Sequence, residues 1–566
     1  MNTNNIKQDQ LPINPMNFLI CKRIVPENVG HVYDLSDRKL NLKLTNQSLV
    51  EIDTPNGKII RKLELCLVKL PIETPIFYIY NQVNPNHSNI RFECPSDAKA
   101  VFLDIHKNQV YDLTSIPRCV EHIQFGDNFN QSIKKNDLPA GLQSLVFGCN
   151  FDQPIEKNVL PAGLQSIKFG YYYNKLIGKN VLPVGLQSLV FGCNFNQPIE
   201  KNVLPAGLQS IQFGCYYNKS IEKDVLPAGL QSIVFGWHYN KSIKKDVLPA
   251  GLKSIKFGAN FNQHFETDVL PAGLKSLVFG YYYDRSIKMN VLPAGLQSLV
   301  FGCGFDQPIE MDLLPAGLKS LVFNDYYNQP IKKGVLPAGL KSLVFGLKYN
   351  QTIEKNVFPD GLKSLEFGYY YNKPIEKDVL PSGLRSIIFG DRFNQPIEKD
   401  VLPSELYSIV FGWDFDQQLA KNVLPSKLQS IVFGRYYNQP IEKDVLPNGL
   451  KSLVLDNYYN KPIKEGVLPS GLQSIIFGDE FNKPIKEGVL PSGLRSIYFG
   501  YYFNQSIENV PNSTKLYICN ILPNMTRDYT FCSYHKQDLE LIKPEINIEK
   551  IKELLCKLEN ELQFDQ

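Results

Sequence analysis

The 566-residue chain is poor in the residues that usually announce chemistry, with only seven histidines and two tryptophans. The histidines are scattered, and His31 and His87 are the only two in the first 94 residues. No glycine-rich phosphate loop, nucleophile elbow, histidine pair on a helix or Cys/His cluster occurs, so no catalytic residue, cofactor or metal is expected. The eleven cysteines are odd in number and lack a CxxC pair, which excludes a regular disulfide framework and a zinc site. Reduced thiols are expected. No stretch reaches the roughly 18 apolar residues of a spanning helix, and the N-terminal "MNTNNIKQDQ" lacks a basic segment leading into an apolar core. A soluble, cytoplasmic protein without membrane insertion is the expectation. Charge of one sign is also missing: 60 Lys and Arg stand against 56 Asp and Glu, a net charge of +4. Nothing in that balance would steer nucleic acid to the chain as a whole.

What is there is repetition. Prolines from Pro117 through Pro139 and Pro161 to Pro491 recur eighteen times at a strict 22-residue spacing without insertion or deletion. One unit reads "LPAGLQSLVFGCNFNQPIEKNV". Within it "QSLVF" alternates Ser144 and Val146 against Leu145 and Phe147, the period of a short strand with one buried face. Gly148 ends that strand. The position is Gly in all units but those of Asn324 and Asp456, which predicts a left-handed backbone there. Leu-Pro at the start of each unit and the short period leave no room for a long helix. Each unit should be one coil of strand, bend and irregular return, stable only when its neighbours cover its apolar residues.

Two positions never leave a narrow residue class. The site of Phe151 is always Phe or Tyr, and the next is always Asn or Asp: Asn130, Asp152, Asn174, Asn196, Asn218, Asn240, Asn262 and onward. The latter set is expected to form a buried ladder satisfying backbone groups of neighbouring coils. An Asn of ordinary turn chemistry is the alternative.

The phrase "FNQPI" at Phe195–Ile199 and Phe393–Ile397, with "FNKPI" at Phe481–Ile485, embedded in "LPxGLxSLxFGxxFNQPI", resembles the FNIP repeat. The resemblance covers residues 117 to about 508. It implies a solenoid similar to the leucine-rich repeat, with one parallel strand per coil, and it implies no catalytic activity. Some similar proteins carry an F-box ahead of the repeats and serve as substrate adaptors of ubiquitin ligases. Residues 1–94 show no F-box pattern.

The expected organisation is a β-rich N-terminal region or cap over 1–94, a degenerate capping repeat at 95–116, the solenoid at 117–512, and a degenerate C-terminal cap at 513–566. In the first region Asn56-Gly57 between apolar runs signals a hairpin, and "IFYIY" at Ile76–Tyr80 a further strand. In the last, Ile548, Ile551, Leu555, Leu558 and Leu562 predict an amphipathic helix over 545–562, packed on the solenoid end of a monomer.

A faithfully copied scaffold can encode a specific partner only where the copies differ. Three positions vary most, the outward strand site of Val146 and the two sites after the turn glycine, and both tryptophans fall at the latter two. Candidate partner-binding residues are Tyr171, Tyr172, Tyr216, Trp237, His238, Tyr281, Tyr282, Tyr369, Tyr370, Trp413, Tyr501 and Tyr502. Trp and Tyr are enriched at binding hot spots, although an aromatic row can also merely shield a core edge. The outward strand position, Val146 and its copies, is expected to add an exposed apolar strip. A non-enzymatic scaffold for a protein partner of unknown identity is the first expectation. A carbohydrate-binding module stacking sugars on the aromatic row is the alternative.

Overall fold

The computed structural model describes residues 98–104 and 110–518, together with the backbone of the strands at 31–34, 49–54, 57–62, 76–80, 90–91 and 530–531. Two compact units divide the chain, Met1–Tyr283 and Asp284–Gln566. Each is a parallel β-solenoid, and the helix expected over 545–562 lies outside the described residues.

In the first unit the strands His122–Phe125, Ser144–Val146, Ser166–Lys168 and their copies to Ser276–Val278 pair in parallel, register advancing by 22 residues per coil. Leu145 therefore faces Ile167, which faces Leu189. The sheet extends upstream through Ala100–Asp104 to Ile76–Tyr80, with His31–Asp34 antiparallel to the latter. Leu49–Thr54 and Gly57–Lys62 form an antiparallel pair in which Gly57 already lies opposite Thr54. In the second unit the same register runs from Ser298–Val300 to Ser496–Phe499. Lys515–Ile518 then pairs with Ser496–Phe499, so the last coil is shortened.

The strands from Ser144–Val146 to Ser408–Val410 are only three residues long, and the coil is closed by turns. Three i to i+3 bonds shape one coil: Leu142 N–H donates to the Pro139 carbonyl, Phe151 to Gly148, and Val159 to Glu156. The third turn carries the left-handed residue. Asn158, Asp224 and their copies have φ near +65°, and Gly334, Gly466 and Gly488 take the same register position at 74–83°. A turn of this kind needs positive φ at its third residue, which Gly, Asn and Asp tolerate.

The glycine after the strand has a different reason from the one expected. Positive φ does not occur at Gly148 or its copies. A Cβ at Gly192 would instead run into the Gly170 carbonyl of the preceding coil. Close approach of backbones, not handedness, selects glycine here. At the exception Asn324 the side-chain amide donates to the Phe301 carbonyl at 2.7 Å, and at Asp456 the carboxylate accepts from Asn457 N–H at 2.8 Å.

Leu142, Leu145, Phe147, Phe151 and Ile155 are all buried, as are their copies in most coils. Phe147 stacks on Phe151 at 3.8 Å within its coil, on Phe169 of the next at 5.7 Å, while Phe151 meets Tyr173 at 5.9 Å. The pattern repeats in the second unit, where Phe323 lies 3.9 Å from Tyr327 and 5.9 Å from Phe345. These near-parallel rings form a spine in each unit. Burial drives the hydroxyls of Tyr173, Tyr239 and Tyr371 well above the usual phenol range, and none has a hydrogen-bond partner.

Candidate interaction surface

Three rows of hydrogen bonds hold one coil on the next and define where side chains can vary. On the strand side, Gln165 and Ser166 N–H both donate to the Gln143 carbonyl at 2.8 and 3.0 Å. The outward serines add hydroxyl contacts, with Ser166 Oγ 3.1 Å from Ser144 Oγ and Ser210 from Ser188 at the same distance. The outward strand position of Val146 is not the exposed strip expected from sequence. Val146, Val300 and Val344 are buried and most other copies half-buried, because copies on adjacent coils shield one another.

The ladder is the second row. Asp152 N–H donates to Asn130 Oδ1 at 3.0 Å, Asn174 N–H to Asp152 Oδ1 at 2.9 Å, and Asn196 to Asn174, Asn218 to Asn196, Asn240 to Asn218 and Asn262 to Asn240 at 3.0 Å. Each side chain thus satisfies the backbone of the coil above. Burial was expected, yet Asn130, Asn240, Asp284 and Asn504 are exposed and the other members half-buried. The acceptor serves a peptide N–H at the surface of the stack, one coil away.

The third row is the turn edge. Tyr172 N–H donates to the Cys149 carbonyl, Tyr216 to Cys193, His238 to Cys215 and Tyr282 to Ala259, all at 2.8–2.9 Å. This backbone ladder fixes the two variable sites after each turn glycine while their side chains project to solvent. Tyr171, Tyr172, Tyr216, Trp237, Tyr281, Tyr282, Tyr370, Trp413, Tyr501 and Tyr502 are exposed there, with Trp237 at 37% and Trp413 at 47%. His238 and Tyr369 are half-buried. Tyr326, Leu347, Tyr436 and Tyr458 share the register positions and are exposed as well. They were missed as candidates although the 22-residue spacing alone locates them. Fourteen of the twenty large apolar side chains left exposed among the described residues occupy these two positions.

Neighbouring side chains preorganise parts of the edge. Tyr171 and Tyr172 meet edge to face at 4.9 Å, as do Tyr281 and Tyr282 at 4.8 Å and Tyr369 and Tyr370 at 4.8 Å. Tyr216 stacks on the His238 ring at 4.9 Å, whose Nδ1 lies 3.0 Å from Asn260 Nδ2. In the second unit Lys348 lies over Tyr326 at 4.2 Å, and Tyr436 stacks on Tyr458 at 5.2 Å. The Cys193 thiol, able to carry charge beside it, pushes the Tyr171 hydroxyl up to about 12. Cys149, Cys193, Cys215 and Cys303 occur as thiols. Among the described residues no group of three His, Cys, Asp or Glu could hold a metal, and no helix is long and apolar enough to cross a membrane.

A solenoid of 22-residue coils with parallel strands on one side and a variable aromatic turn edge belongs to the leucine-rich-repeat-like class. The FNIP Repeat model matches in consecutive segments from 129–172 to 481–516, tiling most of the chain. The chain belongs to the FNIP repeat family. Among solved structures it is similar to CroV588, described as a novel circular LRR protein, at 35% identity, with 76% of each chain covered and a TM-score of 0.56. Two structures of the Drosophila Toll–Spatzle complex match at 13% and 11% identity with TM-scores of 0.34 and 0.37. They cover 87% and 84% of this chain and 65% and 91% of the other, and they carry no argument here. No curated protein matches the sequence.

Proposed function

We propose that this FNIP repeat protein is a non-enzymatic scaffold that captures a protein partner on its aromatic turn edge. One observation carries the reading: the exposed large apolar side chains concentrate at the two register positions that differ between coils. Stability does not require them there. Cys149 and Asn150, or Cys193 and Asn194, fill the same positions over the same backbone bonds. Exposed Tyr and Trp on a rigid backbone supply contact area at small entropic cost, which suits a hot spot.

The test is a double substitution in the first unit, Trp237→Ala with Tyr281→Ala. Folding should stay cooperative with a midpoint close to the parent, while affinity for a partner recovered by affinity purification should fall by about 2 kcal/mol or more. Loss of folding with capture retained by the folded fraction would make the edge structural. A glycan array on which the parent binds and the double variant does not would move the ligand from protein to carbohydrate.

A further inference from the structure

At the other end of the strands from the aromatic edge, the sheet face of the last coils carries a second surface with its own chemistry. A depression of about 610 Å³ opens there, and Lys451, Arg495 and Lys515 stand in its wall with no carboxylate among the lining residues. None of the three forms an ion pair among the described residues. That sets them apart from the lysines of the return limb, where Lys421 pairs with Asp444 at 3.0 Å and Lys464 with Glu442 at 3.3 Å. Serine hydroxyls line the same hollow, Ser496 Oγ lying 3.1 Å from Ser474 Oγ. Beside the cations, Ile476 and Tyr498 form an apolar cluster against Val454 and Tyr517 on the outward face.

Folding does not ask for these charges. Lys451 and Arg495 occupy the register position just before the strand serine, and Gln473 fills it on the coil between them. Gln143, Gln165, Gln187, Gln209 and Gln231 fill it on successive coils of the first unit. A neutral amide is therefore compatible with the same backbone bonds, whereas like charges gathered on one sheet face disfavour the fold.

We propose that this hollow binds an acidic peptide segment of a partner protein, a site separate from the aromatic edge and independent of the function assigned to it. Spacing argues for a chain of anions rather than one small ion. Lys451 and Arg495 lie two coils apart, roughly 10 Å at the usual strand separation, and Lys515 lies one coil further. An extended peptide places alternate side chains about 7 Å apart, so several carboxylates can face the cations while an apolar residue meets Tyr517. Serine hydroxyls donate to the remaining carboxylate oxygens.

The experiment is fluorescence anisotropy on the full chain with a fluorescein-labelled peptide in which Glu alternates with Leu and Thr. Its counterpart with Gln for Glu, inorganic phosphate and a single-stranded oligonucleotide serve as comparison probes. The Glu peptide should bind, weaken with added salt, and lose at least tenfold in affinity in the Lys451→Gln, Arg495→Gln, Lys515→Gln variant. The same three changes at Lys201, Lys223 and Lys245 should leave binding within twofold. Circular dichroism melts establish that both variants fold. Equal binding of the Gln peptide, or undiminished binding by the first variant, overturns the proposal. So does displacement of the peptide by inorganic phosphate at equal concentration, which would mean a site for a free anion, or tighter binding of the oligonucleotide, which would mean a nucleic-acid surface.

Discussion

The strand side and the return limb of one coil obey different rules. On the strand side Leu145, Phe147 and Phe151 are buried to within 3% of complete, the rings stack coil on coil, and the turn glycine has no room for a Cβ. On the return limb Lys157, Asn158 and their copies are exposed, coils touch through diagonal pairs such as Lys201 with Asp224, and left-handed turns set the path. Copying is strict in both regions, yet its cause differs. Packing holds the first side to apolar residues of similar volume, Leu or Ile at the position of Leu145 and Phe or Tyr at that of Phe151, since a change of volume displaces a neighbour above and below. Backbone geometry sets the class on the second, which is why Asn, Asp and Gly interchange at the position of Asn158.

The largest expected effect probes the first side. At Gly192 a Cβ would meet the Gly170 carbonyl and lie within 3.3 Å of the Tyr171 amide nitrogen. Backbone must move to admit it, because no flexible side chain stands in the way. Gly192→Ala should therefore cost about 2–3 kcal/mol in urea or thermal melts. A cost below about 0.5 kcal/mol would show that the coils slide freely and would erase the distinction between the two sides.

These residues also show how much was legible in the sequence. The period, the parallel strand, the stacked aromatics and the Asn ladder follow from spacing and residue class, because each depends on one coil repeating beneath the next. Contacts between coils are harder to read from one unit's sequence. Glycine at Gly148 signals either positive φ or lack of space, and only the separation of adjacent coils decides for space. The true left-handed site lay in view as a column restricted to Asn, Asp and Gly at Asn158, Asp224 and Gly334, but its place in an exposed, charged stretch resembled ordinary solvated sequence. Burial of the ladder was misjudged because invariance was equated with interior position, whereas a surface peptide N–H constrains its acceptor just as strictly. At the aromatic edge the register was readable, and Tyr326, Tyr436 and Tyr458 belong with the candidates for that reason.

An intermediate effect is expected at the ladder, which lies between the two sides in exposure. Asn218 Oδ1 accepts from Asn240 N–H at 3.0 Å, and Ala at that position leaves the donor to water. Half-burial of Asn218 puts the expected cost of Asn218→Ala at about 1 kcal/mol, the scale of one net hydrogen bond, rather than the larger penalty of a sealed interior. Asn218→Asp should restore most of it, since Asp152 and Asp416 already accept in this register, from Asn174 at 2.9 Å and Asn438 at 2.8 Å. Failure of Asp to rescue would mean that the amide group, not the acceptor oxygen, is what the position requires.

The smallest effect belongs to the return limb. Lys223 Nζ lies 3.2 Å from Asp246, and both side chains are more than half exposed at 61% and 57%. Water and salt screen such a pair, and holding a long lysine in one rotamer offsets part of the attraction. Lys223→Ala should shift stability by less than about 0.5 kcal/mol, and the shift should shrink as salt is added to the melt. Lys201 with Asp224 and Lys245 with Asp268 repeat the geometry at 3.1 Å on adjacent coils, so the three lysines offer a sharper version. Changed together, they should cost no more than the sum of the single changes, because each lysine has a separate carboxylate and no side chain is shared. A triple variant that falls well beyond that sum would mean the diagonal pairs act as one network. The return limb would then hold the coils together cooperatively, as the aromatic spine does on the other side.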